Sequence, residues 1–314
     1  MEMADLLEVV YTVLEVLIAV ASCLGNALVV WALWTGVPRQ EATFCFMASL
    51  AVADFLVGAV GMPMSVLVDG RVEVSFHWCL VTSCVVLLFP QSSVLALLAI
   101  ATYRFLRVHI PLRYKSLVTQ HRSWGAVALC WLVAGALSVT PVLWWSDQPL
   151  SSNSTSTMCR FVEVILPAFL VYFTTVSYTV VPLLGMMALY GGIFFIITQR
   201  LQQGLRGCDK PQSYYRKERN LVKSLVLGLL LFVICWMPLH IMNCLSFFVS
   251  QDMVPREAVY VGILLSHVHS ALNPIVYGFR IHRICTACVH LLGSCVTRFQ
   301  EEQDRTSQSH SSRS

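Results

Sequence analysis

Seven apolar runs, near residues 10–34, 43–67, 79–101, 123–144, 164–195, 221–248 and 258–279, organise the chain, and most of the polar stretches between them are short. Each run reaches the roughly 20 residues that an α-helix needs to cross about 30 Å of hydrocarbon. The pattern therefore predicts an all-α membrane protein, a seven-transmembrane helix bundle. Inside the runs a polar or helix-disrupting group recurs: Asn26, Asp54, Arg104, Trp131, Pro182, Trp236 with Pro238, and Asn273 with Pro274. An Asn or Asp in hydrocarbon must face the bundle interior and find partners, and an intramembrane Pro breaks a backbone hydrogen bond that another group has to satisfy. The set reads as a switching core.

The connections Thr35 to Glu41, Val68 to Phe76 and His109 to His121 leave no room for a second folded domain. The inner connection from Arg200 to about Asn220 is basic and carries Gly204, Gly207 and Pro211, which predicts extensions of the fifth and sixth helices joined by a flexible turn. From Arg280 to Leu292, basic residues mix with Ile281, Ile284, Val289, Leu291 and Leu292, as in a short amphipathic eighth helix lying on the inner leaflet. Residues 1–292 are thus read as the bundle with its eighth helix, and residues 293–314 as a polar, Ser-rich, disordered cytoplasmic tail.

Composition agrees: 57% of the 314 residues are hydrophobic and 12% charged, with a mean hydropathy of +0.69, which excludes an ordinary soluble domain. Seven spans put the termini on opposite sides. With the N-terminus outside, only Arg71, Arg160 and Arg256 of the 21 Lys and Arg residues fall on the outer side. That bias predicts an extracellular N-terminus and a cytoplasmic C-terminus, in the plasma membrane. The net charge of +4 then marks orientation, not nucleic-acid binding. The stretch from Met1 to Glu8 is acidic where a cleavable signal needs a basic start, so the first span is expected to serve as the signal anchor.

Most of the 12 cysteines lie in apolar runs and read as small buried hydrophobes. Cys79 and Cys159 both fall on the oxidising outer side and are expected to form a disulfide that pins an outer loop over the bundle mouth. Asn153, in Asn153-Ser154-Thr155 of the same loop, is a glycosylation acceptor. Cys295, after the eighth helix, is a candidate for palmitoylation.

Taken together, Gly25-Asn26, Leu50-Ala51-Val52-Ala53-Asp54, Arg104, Trp131, Cys235-Trp236-Met237-Pro238 and Asn273-Pro274-Ile275-Val276-Tyr277 resemble the class A rhodopsin-like G-protein-coupled receptors over nearly the whole chain. Within that class the chain is similar to adenosine receptors, nearest the inhibitory-coupled subtypes. The supporting stretches are Glu41 to Phe46, Gln91 to Ile100, Leu106 to Lys115, Trp236 to Cys244, and Ser266-His267.

The resemblance implies a purine nucleoside pocket open to the outside. In it Asn243 would pair with adenine through an amide that both donates and accepts, and Phe161 would stack on the purine face. Leu239, Val86, Leu87 and Ile263 would wall the site over a floor at Trp236, with His240 in a secondary role. Ser266 and His267 would receive the ribose hydroxyls, Glu15 holding His267. Two ionisable residues in separate apolar spans are best explained by meeting each other.

It implies too that Asp54, Ser93, Asn26 and Asn273 form an activation core that takes an allosteric sodium ion, no other cofactor or metal being expected. Arg104, Tyr190 and Tyr277 would rearrange at the inner face as the sixth helix swings out to admit a G-protein helix, with Glu218 holding Arg104 in the closed state. The implied partners are adenosine or a related small purine, a heterotrimeric G protein of the inhibitory class that lowers cyclic AMP, membrane lipid and, as a further candidate, arrestin.

Three positions depart from the family pattern. Tyr103-Arg104-Phe105 stands where Asp-Arg-Tyr is usual, which predicts raised basal activity unless Glu218 suffices. Pro90 replaces a ribose-contacting threonine, which predicts a kink in the third span and a weakened response to adenosine. His269 replaces an asparagine, which puts the sodium site in question.

The runner-up reading keeps the bundle but changes its ligand to adenine, inosine or a lipid, or leaves it with high basal activity. An amine ligand is disfavoured because Val86 stands where amine receptors carry an aspartate. A transporter ranks below both, since the charges are few and isolated. An enzyme is not expected: Asp54, His240 and His267 lie in different spans with no nucleophile motif or metal-ligand spacing.

Overall fold

A computed structural model describes residues 2–36, 42–145, 157–204, 212–250 and 253–280; side chains are described for most of these but not for 2–5, 36, 42–43, 70–71, 112, 115, 144–145, 157, 163, 201–204, 212–225 or 277–280. The eighth helix, the tail, Asn153 and Cys295 lie outside the described residues. Seven helices are long and apolar enough to cross a membrane. Helix one is Glu2–Gly36; helix two is α-helical over Ala42–Leu56, passes through a π stretch at Val57–Gly61 and resumes at Met62–Leu67. Helix three is Phe76–His109 and helix four Gln120–Trp145. Helix five begins as a π stretch, Phe169–Val180, and continues as Val181–Gly204; helix six is Gln212–Phe248 and helix seven Arg256–Arg280.

The bundle turns the usual inside and outside over. Leu132, Leu143 and Phe195 are 66 to 71% exposed, as lipid-facing side chains should be where hydrocarbon is the solvent. The polar residues Asp54, Asn26, Ser22 and Glu15 are at most 1% exposed. Helices two and three are the most enclosed. Trp131 of helix four donates its indole N–H to Ser49 Oγ of helix two at 3.0 Å, the partner a buried indole requires. Helix one packs closely against Gly58, in the π stretch of helix two. A Cβ there would lie 2.9 Å from the Ala19 carbonyl oxygen and 3.0 Å from Cys23 Sγ.

Two local features were not expected from the sequence. The outer connection after Val68 is not a bare turn: β1 (Asp69–Val74) pairs antiparallel with β2 (Thr157–Arg160). The inner connection after His109 holds a short helix, Pro111–Leu117, with proline at its first position, where its missing N–H costs nothing. Helix three runs unbroken through Pro90; the proline removes only the N–H that would meet the Val86 carbonyl.

The disulfide expected between Cys79 and Cys159 is present, with Cα atoms 5.6 Å apart. It fastens β2 to the first turn of helix three. At the outer rim, Arg256 Nη1 meets Glu8 Oε1 at 2.9 Å and the Tyr260 hydroxyl donates to Asp69 Oδ2 at 2.8 Å. Tyr11 stacks on Tyr260 with ring centroids 4.1 Å apart, so helix one, β1 and helix seven meet in one cluster. The Arg256 side chain is 53% exposed, so its ion pair contributes less than about 1 kcal/mol.

Candidate functional site

The deepest polar cluster forms where helices one, two, three and seven converge. Asp54, 0% exposed, accepts from the Ser93 hydroxyl at 2.8 Å and from Asn273 Nδ2 at 2.7 Å. Asn26 Nδ2 donates to the Ser270 carbonyl at 3.0 Å and the Ser22 carbonyl at 2.9 Å, while the Ser22 hydroxyl donates to the Asp54 backbone carbonyl at 2.9 Å. The cluster thus spans four helices through residues separated by up to 244 positions. A buried carboxylate needs charge compensation or a proton, and the donor set suits a small hard cation. It contains a carboxylate, a hydroxyl oxygen and Asn26 Oδ1, which is buried with no hydrogen-bond partner among the described residues. His269 lies beside this cluster but leans toward helix six, edge-on to Phe232 at 5.6 Å and to Trp236 at 6.4 Å.

Nearer the outside, His267 and Glu15 meet. His267 Nδ1 lies 2.9 Å from both Glu15 oxygens, with the side chains 8% and 1% exposed. Removing one partner from such a buried pair costs about 3–5 kcal/mol, so helices one and seven are pinned here. The bidentate contact occupies one ring nitrogen and leaves Nε2 free of Glu15. One residue earlier, the Ser266 hydroxyl donates to the Ile263 carbonyl at 2.7 Å, so toward any ligand it acts as an acceptor.

The residues expected to wall a ligand pocket are placed by the outer ends of the helices. Phe161 opens the short helix Phe161–Val164 directly after β2, its N–H held by the Val68 carbonyl at 2.8 Å. Phe161 and Leu87 pack against the same outer cluster, which contains both disulfide cysteines and Phe169. Val86, Leu239, Asn243 and Ile263 are half-buried on helices three, six, six and seven. Gly262 lets helix seven close on helix six; a Cβ there would collide with Met242 and sit 3.2 Å from Leu239 Cα. No described residue hydrogen-bonds the Asn243 amide, which leaves its donor and acceptor available. Trp236, beneath, joins the cluster around Val94, Met186 and Phe232.

His240 is placed differently from the other wall residues. Both its ring nitrogens are engaged by helix five, Nδ1 with Thr175 Oγ1 at 3.2 Å and Nε2 with Thr179 Oγ1 at 2.5 Å. Neither threonine was singled out in the sequence, although two threonines four apart in an apolar run were the available signal. Gln91 was missed too: it is 1% exposed, and both its amide atoms are without a partner among the described residues.

At the inner end, Tyr190 is buried in the same cluster as Val108 and Phe232, and Arg104 is half-buried on helix three. Tyr103 turns away from the chamber, its ring 4.3 Å from Phe46 and its hydroxyl 3.2 Å from Ser123 Oγ. The side chains of Glu218 and Tyr277 lie outside the described residues, though their backbones belong to helices six and seven.

Comparison with known proteins agrees with this arrangement. Residues 25–277 match the family of 7 transmembrane receptors (rhodopsin family). The adenosine receptor A3 of Ovis aries is 40% identical over 92% of this chain and 91% of its own length. Those of Bos taurus and Canis lupus familiaris are each 38% identical, over 93% and 88% of this chain and 92% and 89% of theirs.

Proposed function

The chain belongs to the rhodopsin family of seven-transmembrane receptors, among the adenosine receptors, and from that premise we propose that extracellular adenosine is its ligand and an inhibitory G protein its output. It is a multi-pass plasma-membrane receptor and not an enzyme. The observation that carries the ligand reading is the buried Glu15–His267 pair at 2.9 Å, because it holds an imidazole whose second nitrogen is free of Glu15 and would meet the ribose. Asn243 and Phe161 would take the base, one through its unengaged amide and the other by stacking on the ring face. Ser266 would accept from a ribose hydroxyl, with Val86, Leu87, Leu239 and Ile263 as walls and Trp236 as floor.

The excess of Lys and Arg on one side supports an extracellular N-terminus and a cytoplasmic C-terminus. In that orientation Asn153 would be open to glycosylation, and Cys295 and the inner face to palmitoylation and arrestin. Asp54 and Ser93 would hold a sodium ion with help from Asn26 and Asn273. The ion would supply the positive charge the buried carboxylate lacks, and its loss would let helix seven close on helices two and three. The switch then runs through Arg104, Tyr190, Glu218 and Tyr277 as helix six moves outward.

Cyclic AMP is the direct test. In cells with confirmed surface expression, adenosine is expected to lower it, and no response at that expression would overturn the adenosine reading. Pro90→Thr should raise agonist potency by roughly three- to tenfold, the value of one regained hydrogen bond, and unchanged potency would remove Pro90 from the account. A drifted ligand is the second reading, favoured by Pro90 alone.

Basal activity is the other expected departure. With Tyr103 in place of the acid usual before Arg104, the unliganded receptor should exchange nucleotide on its G protein above a mock-transfected control unless Glu218 suffices, and Tyr103→Asp should bring that exchange down. The idea fails if the unliganded receptor matches the control and Tyr103→Asp changes nothing.

A further inference from the structure

The imidazole of His240 is 6% exposed and stands one helical turn from Trp236, its ring 6.1 Å from the indole at an interplanar angle of 21°. Its hydrogen bonds can be given a direction. Thr175 donates its hydroxyl proton to the Leu170 carbonyl at 3.1 Å, a five-residue step typical of a π turn. With its proton on that carbonyl, Thr175 accepts from Nδ1–H of His240. A neutral imidazole then offers Nε2 as an acceptor, and the Thr179 hydroxyl donates to it. Every polar atom of the ring is used, both on helix five. None is left for a ligand, and helix six cannot separate from helix five at this level without breaking both bonds.

We propose that Thr175 and Thr179 are positioning residues that hold His240 on helix five, forming a buried latch that must open before helix six can swing out. The π stretch Phe169–Val180 brings both hydroxyls to the same ring. The stacked Trp236 is held with it, so the latch restrains the floor of the chamber as well as its wall. Within a hydrocarbon-embedded core a broken pair has no bulk water to turn to, which makes each bond a term in the balance between closed and open forms.

The test reads helix six directly. A fluorophore on Leu221→Cys, at the inner end of the helix, is followed in the purified full-length receptor without ligand. The chain lacking that cysteine is treated identically, and its signal is subtracted to remove the native thiols. Thr175→Val with Thr179→Val preserves side-chain shape and removes both hydroxyls. It is expected to raise the swung-out population roughly tenfold, as loss of one or two buried hydrogen bonds would. His240→Phe, which keeps an aromatic ring on Trp236, should match it, and the paired serine variant should return to wild type. A wild-type signal from both the valine pair and His240→Phe overturns the latch. So does a serine pair that behaves as the valine pair, because methyl packing would then be the cause. Neither ligand nor G protein enters the measurement, so its outcome is independent of the adenosine reading.

Discussion

Asn243→Ala is expected to weaken binding of both adenosine and purine antagonists by about 30- to 1000-fold, with surface expression unchanged. The amide is half-buried on the outer part of helix six and bonded to no described residue, so removing it disturbs nothing else in the bundle. A base that pairs with it gains one accepted and one donated hydrogen bond in a partly dried chamber. Alanine forfeits both and leaves the base's own polar atoms unpaired, about 2 to 4 kcal/mol in all. Saturation binding with a radiolabelled purine antagonist reads the loss. Affinity within threefold of wild type would mean that the base is recognised elsewhere, and the stacking role of Phe161 would have to be reconsidered with it.

The second large effect is expected from Cys159→Ser. The disulfide closes a loop of 80 residues, and releasing a closure of that length costs about 4 kcal/mol in the chain-entropy account. More than stability is at stake, because Phe161 follows two residues later and its N–H is held by Val68 beside β1. With β2 loosened from helix three, the stacking face of the chamber loses its fixed position. Less receptor at the cell surface, faster loss of radioligand binding on heating and weaker antagonist affinity are expected together. An unchanged thermal half-life would show that the strand pairing and the outer apolar cluster hold the loop without the bond.

What was legible in the sequence follows from the cost of polarity in lipid. Asp54, Asn26, Asn273 and the Glu15–His267 pair stood out because no cheap reason exists for them in an apolar run, and the structure brings each into contact with partners on other helices. The disulfide was readable for a related reason, since only two cysteines fell on the oxidising side of the spans.

Other features leave no such mark. The β1–β2 ribbon joins strands that begin at Asp69 and Thr157, and short strands with distant partners have no local signature. The two π stretches are invisible to periodicity, which only reports which face is apolar. His240 could be recognised as costly but not paired, because its threonines lie on another helix and threonine is unremarkable inside a membrane. The rim cluster of Glu8, Asp69 and Arg256 left no mark either, because ionic groups at helix ends are ordinarily solvated. Pro90 leaves helix three continuous, since a single missing N–H need not interrupt a helix embedded among neighbours.

The π stretch of helix five has an evolutionary consequence. Each of its turns holds more chain than an α-turn, so Phe169–Val180 carries slack in length as well as a shape. A residue lost from it would tighten a turn and rotate everything on the outer side by about 100° about the helix axis, carrying Thr175 off His240 while Thr179, if it lay beyond the deletion, stayed in place. Gain or loss of one codon could therefore retune which side chains greet the ligand without substituting any of them.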